Sequence, residues 1–433
     1  MSALRAPGFP EQDVRRRARE GGAAVFPAMD QYGVTVFGAA ATVPQDEIDA
    51  YRLVPPVSMP RRLEKLIELG REPLYADVSL DSSFGGFDAP LPLFLTALGS
   101  TRVAAAGCDL ARQAGRLGLP MVIGENVAPV SGFRSAGKHR ALLERISAYA
   151  EAASGAATGG VVVQQSTEDA NAEVWNHVYT EPSVRELMDS GRLAFELKVG
   201  QGAKPGLGGL TMVDEETSRR LSGQYAMERL QTGGPVLRCS SPGTFTDEIL
   251  RQQVHLMRNN YPRARCWVKL PPARDVAEAA AVAWRAGADA VTVDGAEGGT
   301  GWAPGAFLDH VGLPLHECLR RLGPPMGTLL ASGRVYDGAR AVKVLALGAR
   351  AVGFGRAALV AVDEDPEQGL IRFVESLALE MRLLISALGK YAACEPGPED
   401  LWSPQESRGT ASHDAPSGAG ESPIRPDKRE VFA

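Results

Sequence analysis

Cysteine is sparse in this chain. The five thiols, Cys108, Cys239, Cys266, Cys318 and Cys394, are dispersed over 433 residues, with no CxxC pair and no zinc or iron–sulfur spacing. They read as reduced, partly buried small side chains. The six histidines form neither HxH nor HExxH, so no metal site is expected. No apolar run approaches the ~18 residues that a membrane-spanning helix requires. The opening "MSALRAPGFPEQDVRRRAREGG" has no apolar stretch suited to a signal peptide, and its arginine cluster reads as a solvated helix face. A formal charge of −6 without a basic block gives no footprint for nucleic acid. A cytoplasmic enzyme is the default that remains, with no membrane or nucleic-acid partner.

What is present is a regular alternation. Hydrophobic residues make up 44% and charged residues 23% of the chain, as in a soluble globular protein. Short apolar runs recur as PLFLTALG (92–99), LPMVIGE (119–125), GVVVQQS (160–166), AFELKVG (194–200), CWVKLPP (266–272), AVTVDGA (290–296), TLLASGR (328–334) and AVGFGR (351–356). Amphipathic stretches such as ARDVAEAAAVAWRAGAD separate most of them. Eight β-rich runs alternating with helices predict parallel βα units. Their total length fits a closed (β/α)8 TIM barrel of ~250 residues, with a doubly wound open sheet as the runner-up.

Residues 90–392 therefore form the expected barrel. Residues 1–89 read as an N-terminal extension packed on it, with a basic helix (PRRLEKLIELG) and a short strand (GVTVFGAA). A long amphipathic helix is expected over 366–390, and the Pro/Ser/Gly-rich 403–433 reads as a disordered tail. An insertion over about 201–245 separates the fourth strand from its helix, the place for a specificity element or a lid.

Gly-rich or polar segments follow several strands: GSTR, GENVAP, QGAKPGLGG, EGGTG, SGR and GRAA. In a barrel all of them fall on the C-terminal rim, where barrel active sites lie. After the seventh and eighth strands, Gly333 and Gly355 can present backbone N–H groups to a phosphate, with Arg334 or Arg356 adding a charged fork. The alternative is tight turns and solvated arginines. Gly298, Gly299 and Gly301 leave bare backbone against which a flat cofactor can lie, and Thr300 is available to hydrogen-bond. Lys269, ending the fifth strand among apolar neighbours, is expected to point into the barrel mouth.

Three stretches, FELKVGQGAKPGLGGL, AVTVDGAEGGTGWAP and LASGRVYDGARAVKVLALGARAVGFGRAAL, resemble in order the signature regions of the FMN-binding synthase domain of glutamate synthase. LFLTALGSTRVAA, GENV and ERLQTGG resemble three weaker ones, so the similarity spans roughly 90–390. It implies an FMN-dependent oxidoreductase acting on an amino or 2-oxo acid (or its imine) by hydride transfer at flavin N5. Carried over, it places Ala97, Leu98, Gly99 and Ser100 against the flavin ring, Gln164 beside its polar edge and Lys269 near N1. Gly298, Gly299, Ser332, Gly333, Gly353 and Gly355 would serve the ribityl phosphate. Lys204, with Gln201 and Arg229, would bind the acid over the flavin, and Glu125 is either an acid/base, an orienting residue or a turn cap.

The chain also departs from that family. It opens MSALR, with no cysteine before Cys108, so a glutaminase nucleophile is not expected. The segment after the eighth strand, LVAVDEDPEQGLIRF, lacks the cluster-ligating cysteines, so no iron–sulfur centre is expected. Leu207 replaces an acidic residue in KPGEGG. A separate ammonia or amine donor and a separate electron-donor protein are therefore implied, and a homo-oligomer is compatible. Two alternatives stand: a redox-neutral FMN isomerase resembling type 2 isopentenyl diphosphate isomerase, or a non-catalytic FMN-binding subunit. Retention of Lys204, Arg229 and Lys269 together argues against the second. GQGAKPG does not satisfy the dinucleotide motif GxGxxG.

Overall fold

The computed structural model describes residues 4–39, 43–99, 106–125, 127, 141–166, 170–171 and 173–403. Ser100 and residues 404–433 of the expected tail lie outside them. Strands β1 (Leu93–Leu98), β2 (Met121–Ile123), β3 (Val161–Gln165), β4 (Leu193–Lys198), β5 (Arg265–Leu270), β6 (Ala290–Asp294), β7 (Leu329–Ser332) and β8 (Ala351–Phe354) form one parallel sheet closed into a barrel. Closure is made by β8 pairing with β1, with Val352 opposite Leu93. That pairing excludes the open sheet.

The strands are apolar on both faces because helices cover the outside and side chains fill the inside. Val161, Val163, Val291 and Val293 pack in the outer core. Val162, Ala194, Trp267, Ala290, Leu330 and Ala351 form a separate inner layer. The hairpin of Ser82–Phe84 and Phe87–Ala89 closes the lower end and contributes Phe84 and Phe87 to that layer. Its turn residues Gly85 and Gly86 have φ of 59° and 88°, and the Gly85 carbonyl accepts from Trp267 Nε1 at 2.8 Å. A Cβ on Gly85 would lie 2.5 Å from the Trp267 ring.

Two expectations for the extension are corrected. The arginine-rich helix Glu11–Glu20 is a solvated face only in part: Arg19 is exposed and Arg16 partly so, whereas the buried Arg15 pairs with Glu11, Asp363 and Glu364, and the buried Arg17 with Asp13 and Glu380. Those acids lie partly on the helices Arg356–Glu364 and Gly369–Ala387, so the arginines dock the extension on the barrel. The stretch from Gly33 to Ala39 is not a strand, and Val36 is fully exposed. β-Branched residues form a strand only where a partner supplies hydrogen bonds and a packed face. The insertion forms an antiparallel sheet, with Val236–Cys239 between Leu210–Val213 and Ala226–Glu228.

Candidate active site

Side chains alternate along a strand, so each inward residue of the lower layer is followed two positions later by one nearer the rim. Val162 leads to Gln164, Ala194 to Glu196 and Lys198, Trp267 to Lys269, Ala290 to Thr292 and Asp294, and Leu330 to Ser332. These polar residues meet across the barrel. Glu196 accepts from Gln164 Nε2 at 2.6 Å and from Thr292 Oγ1 at 2.9 Å. Lys269 Nζ lies 3.3 Å from Asp294 Oδ2. Asp294 also accepts from Ser332 Oγ at 2.7 Å and from the Gly202 amide at 2.9 Å.

Burial raises the Glu196 carboxyl above its ordinary range, with Lys269 opposing the shift. Burial pulls Lys269 the other way, but Asp294 and Glu196 outweigh it and hold the ammonium charged. Gln164 Nε2 is fixed on Glu196, and its buried Oε1 has no hydrogen-bond partner among the described residues.

Above this layer, the loop after β4 crosses to the exit of β6. A Cβ on Gly202 would lie 2.3 Å from the Gly295 carbonyl, so only glycine lets the two backbones meet. This close approach turns Lys204 into the mouth, where it is 5% exposed. Burial, and then the Lys198 charge, lower its ammonium to about 8. Lys198 is ion-paired with Glu125 and donates to Gln201 Oε1 at 2.6 Å. Burial would raise Glu125, but Lys198 overcomes it and the carboxyl sits below its usual range. Among the described residues no ion pair or hydrogen bond reaches the Lys204 ammonium. Gln201 Nε2 donates to Thr300 Oγ1 at 3.4 Å, joining this loop to the EGGTG segment.

Ala97 packs against the inner core, and Leu98 and Gly99 end β1 with the Gly124 amide donating to the Leu98 carbonyl at 3.0 Å. A Cβ on Gly99 would lie 2.9 Å from the Glu125 carbonyl, so the β1 and β2 exits are in contact. Ser332 is committed to Asp294, and the Gly333 carbonyl accepts from Arg340 Nε at 3.2 Å. Gly355 starts the helix Arg356–Glu364 without a side-chain cap. Arg356 donates to the Glu297 carbonyl and lies 4.5 Å over the Phe9 ring; burial and the nearby Arg334 lower it to about 10.

Two proposed site residues are paired with acids. Arg229 is half-exposed in the insertion and pairs with Glu215 at 2.6 Å, and the charged groups acting on Lys204 are Lys198, Glu125 and Cys239 instead. Arg334 is not a free anion fork: Asp46 and Asp49 of the extension hold it. Sequence reasoning missed Glu196, Lys198, Thr292 and Asp294. The two-residue alternation starting from inward Lys269 would have found them. Nothing in the sequence points to Asp46 and Asp49, whose partners lie almost 300 positions away.

Comparison with known proteins places this barrel. Relatives include an archaeal-type glutamate synthase [NADPH] of Thermotoga maritima, 36% identical over 183 residues, or 39% of this chain and 34% of that protein. A glutamate synthase large subunit-like protein of Rhizobium meliloti is 36% identical over 185 residues, 40% of each chain. The chain thus matches little more than a third of the length of these relatives. Its fold is similar to a flavocytochrome b2 variant with benzoylformate (TM-score 0.55, 15% identity, 89% of this chain and 85% of that one). It is also similar to a soluble variant of the membrane-associated (S)-mandelate dehydrogenase of Pseudomonas putida (TM-score 0.53, 19% identity, 92% and 99%). The family model described as a conserved region in glutamate synthase matches residues 139–364, more than half of the sequence, and the chain belongs to that glutamate synthase family.

Proposed function

We propose that this chain is an FMN-dependent oxidoreductase acting on an amino acid, a 2-oxo acid or the corresponding imine. The observation that carries the reading is Lys204, a buried ammonium whose neighbouring carboxylate, Glu125, is already committed to Lys198. An ammonium held out of water without a counter-ion is costly, and a substrate carboxylate removes that cost with a charge-assisted hydrogen bond.

The residues below it fit a flavin. Gln164 Oε1 is a buried acceptor without a donor among the described residues, and the imide N–H of an isoalloxazine supplies one. Lys269 is a fixed cation suited to the electron-rich edge of the ring. Arg356, a largely buried guanidinium with no carboxylate partner among the described residues, stands at the uncapped start of a helix and suits a phosphate monoester. The glycines carry less weight. A Cβ on Gly298 would meet Asp294 at 2.7 Å, on Gly299 Arg356 at 2.6 Å, and on Gly353 Phe94 and Thr96 at 2.6 Å, so protein packing alone requires them.

Bound FMN would supply the two-electron chemistry. The protein's own part is positioning. Lys204 holds the carboxylate of the acid. Glu125, kept ionised by Lys198, accepts hydrogen bonds from an amine or ammonium and orients it. Gln201 ties this pair to the β6 exit. Electrons come from a separate donor in this reading, because the sequence after β8 carries no cluster of cysteines.

The test is a visible spectrum of the purified protein, followed by anaerobic titration of the reduced flavin with 2-oxo acids plus ammonia or amines. Flavin reoxidation is expected. A protein that takes up no FMN overturns the reading. Bound flavin that no such acid reoxidises moves the chain to a redox-neutral class.

A further inference from the structure

Arg334 and Arg340 are held by two aspartates of the N-terminal extension. Arg340 Nη1 lies 2.7 Å from Asp46 Oδ1 and 2.9 Å from Asp49 Oδ1. Arg334 Nη1 lies 2.5 Å from Asp49 Oδ2 and 3.3 Å from Asp46 Oδ2. All four side chains are at most 13% exposed. The carboxylates are fixed rather than swinging. Asp46 caps the short helix Glu47–Ala50 by accepting from the Asp49 amide at 2.9 Å, and Ile48 is fully buried beside it. Tyr336 Oη donates to Asp49 Oδ1 at 3.3 Å, and Lys343 Nζ to the Asp49 carbonyl at 3.2 Å.

Two guanidinium groups face two carboxylates here, and Glu297 Oε1 lies 4.0 Å from Arg340 Nη2 at the edge of the cluster. Arg356 shares the rim with it, and Arg334 is the charged group that bears most strongly on Arg356. Of these three arginines after β7 and β8, only Arg356 is left without a carboxylate partner among the described residues. We propose that Asp46 and Asp49 are specificity-determining residues: by holding Arg334 and Arg340, they leave the anion pocket one arginine free of an ion pair among the described residues, and set how tightly it grips a single phosphate monoester. This rests on the reading that the phosphate end of FMN occupies that pocket. Arg334 borders a cavity of about 660 Å³ lined also by Phe9, Asp49, Arg340 and Lys343.

Asp49→Asn keeps the size and the hydrogen-bond acceptor but removes the nearest counter-charge of Arg334. Dissociation constants of FMN and of riboflavin, measured by flavin fluorescence on wild type and variant, separate the phosphate contribution from the ring contribution. The preference for FMN over riboflavin is expected to rise about tenfold, the gain of one charge-assisted hydrogen bond. It should fall more steeply with salt than in wild type. Adding Arg334→Gln should return the preference to the wild-type value. A merely structural role would weaken both ligands alike, and an unchanged or reduced preference in folded Asp49→Asn overturns the proposal. Should that variant fail to fold, Asp46→Asn is expected to shift the preference in the same direction by less, and no shift there overturns the proposal equally. A wild type with no preference for FMN over riboflavin overturns the phosphate reading itself, and the proposal with it.

Discussion

Lys269 Nζ lies 3.3 Å from the Asp294 carboxylate, inside a barrel mouth where Glu196 is the next acid. Removing one member of a buried pair leaves an uncompensated charge and typically costs about 3–5 kcal/mol. Lys269→Met is therefore expected to lower the thermal midpoint strongly, and Asp294→Asn to do the same. The double variant should recover part of the loss, because neither member of the pair is then left alone, while Glu196 still loses the Lys269 charge. Calorimetric or circular-dichroism melts of the three variants check this; additive losses would mean the two groups are not coupled.

Lys204 predicts a pH dependence. Only the protonated ammonium attracts a carboxylate, and burial together with Lys198 lowers this group to about 8. Acid binding should be nearly constant below that pH and weaken up to about tenfold per unit above it. Lys204→Met is expected to weaken binding by about 10- to 100-fold, the worth of one charged hydrogen bond, and to flatten the profile. Flavin occupancy should be retained. Dissociation constants of a 2-oxo acid between pH 6.5 and 9.5 provide the measurement, and simultaneous loss of flavin would move Lys204 out of the substrate site.

Asp337 sits at the start of the helix Gly338–Ala346, accepting from the Arg340 amide at 2.7 Å. Burial and the nearby Glu380 raise its carboxyl to about 6, against partial relief from Arg17 and Lys343. Because the folded-state value lies above the unfolded one, the ionised form costs stability above about pH 6, and that cost is relieved as pH falls. Asp337→Asn keeps the cap acceptor. It should melt on the order of 1–2 °C above wild type at pH 7.5, with the advantage shrinking toward pH 5. An advantage that grows on acidification would contradict this.

Gly85 tests the plug beneath the barrel. Its φ of 59° disfavours any side chain, and a methyl group would strike the Trp267 ring at 2.5 Å. Gly85→Ala is expected to destabilise by roughly 1–3 kcal/mol through overpacking alone. Urea unfolding with tryptophan fluorescence follows both the stability and the displaced ring.

The barrel was legible because its signals are local. Each of the eight strands coincides with an apolar run bounded by turn residues, and the length between runs leaves room for a helix each time. Lys269, at the end of an apolar strand, was legible for the same reason. The helix around Arg15 and Arg17 was also visible, but its environment was not. Arginines on an amphipathic helix look the same whether they face water or Asp363 and Glu380.

The sequence by itself determined the strand–helix alternation, the polar rim after each strand and the presence of Lys204 in a glycine-rich exit. These follow from side-chain periodicity and backbone chemistry within a few residues. Tertiary structure decided which charges meet: Lys198 with Glu125, Arg334 with Asp46 and Asp49, Arg229 with Glu215, and Lys204 with no partner at all among the described residues. Electrostatic pairing depends on distance and burial in space. Only barrel closure and the docking of the extension bring residues so far apart in sequence within a few ångströms.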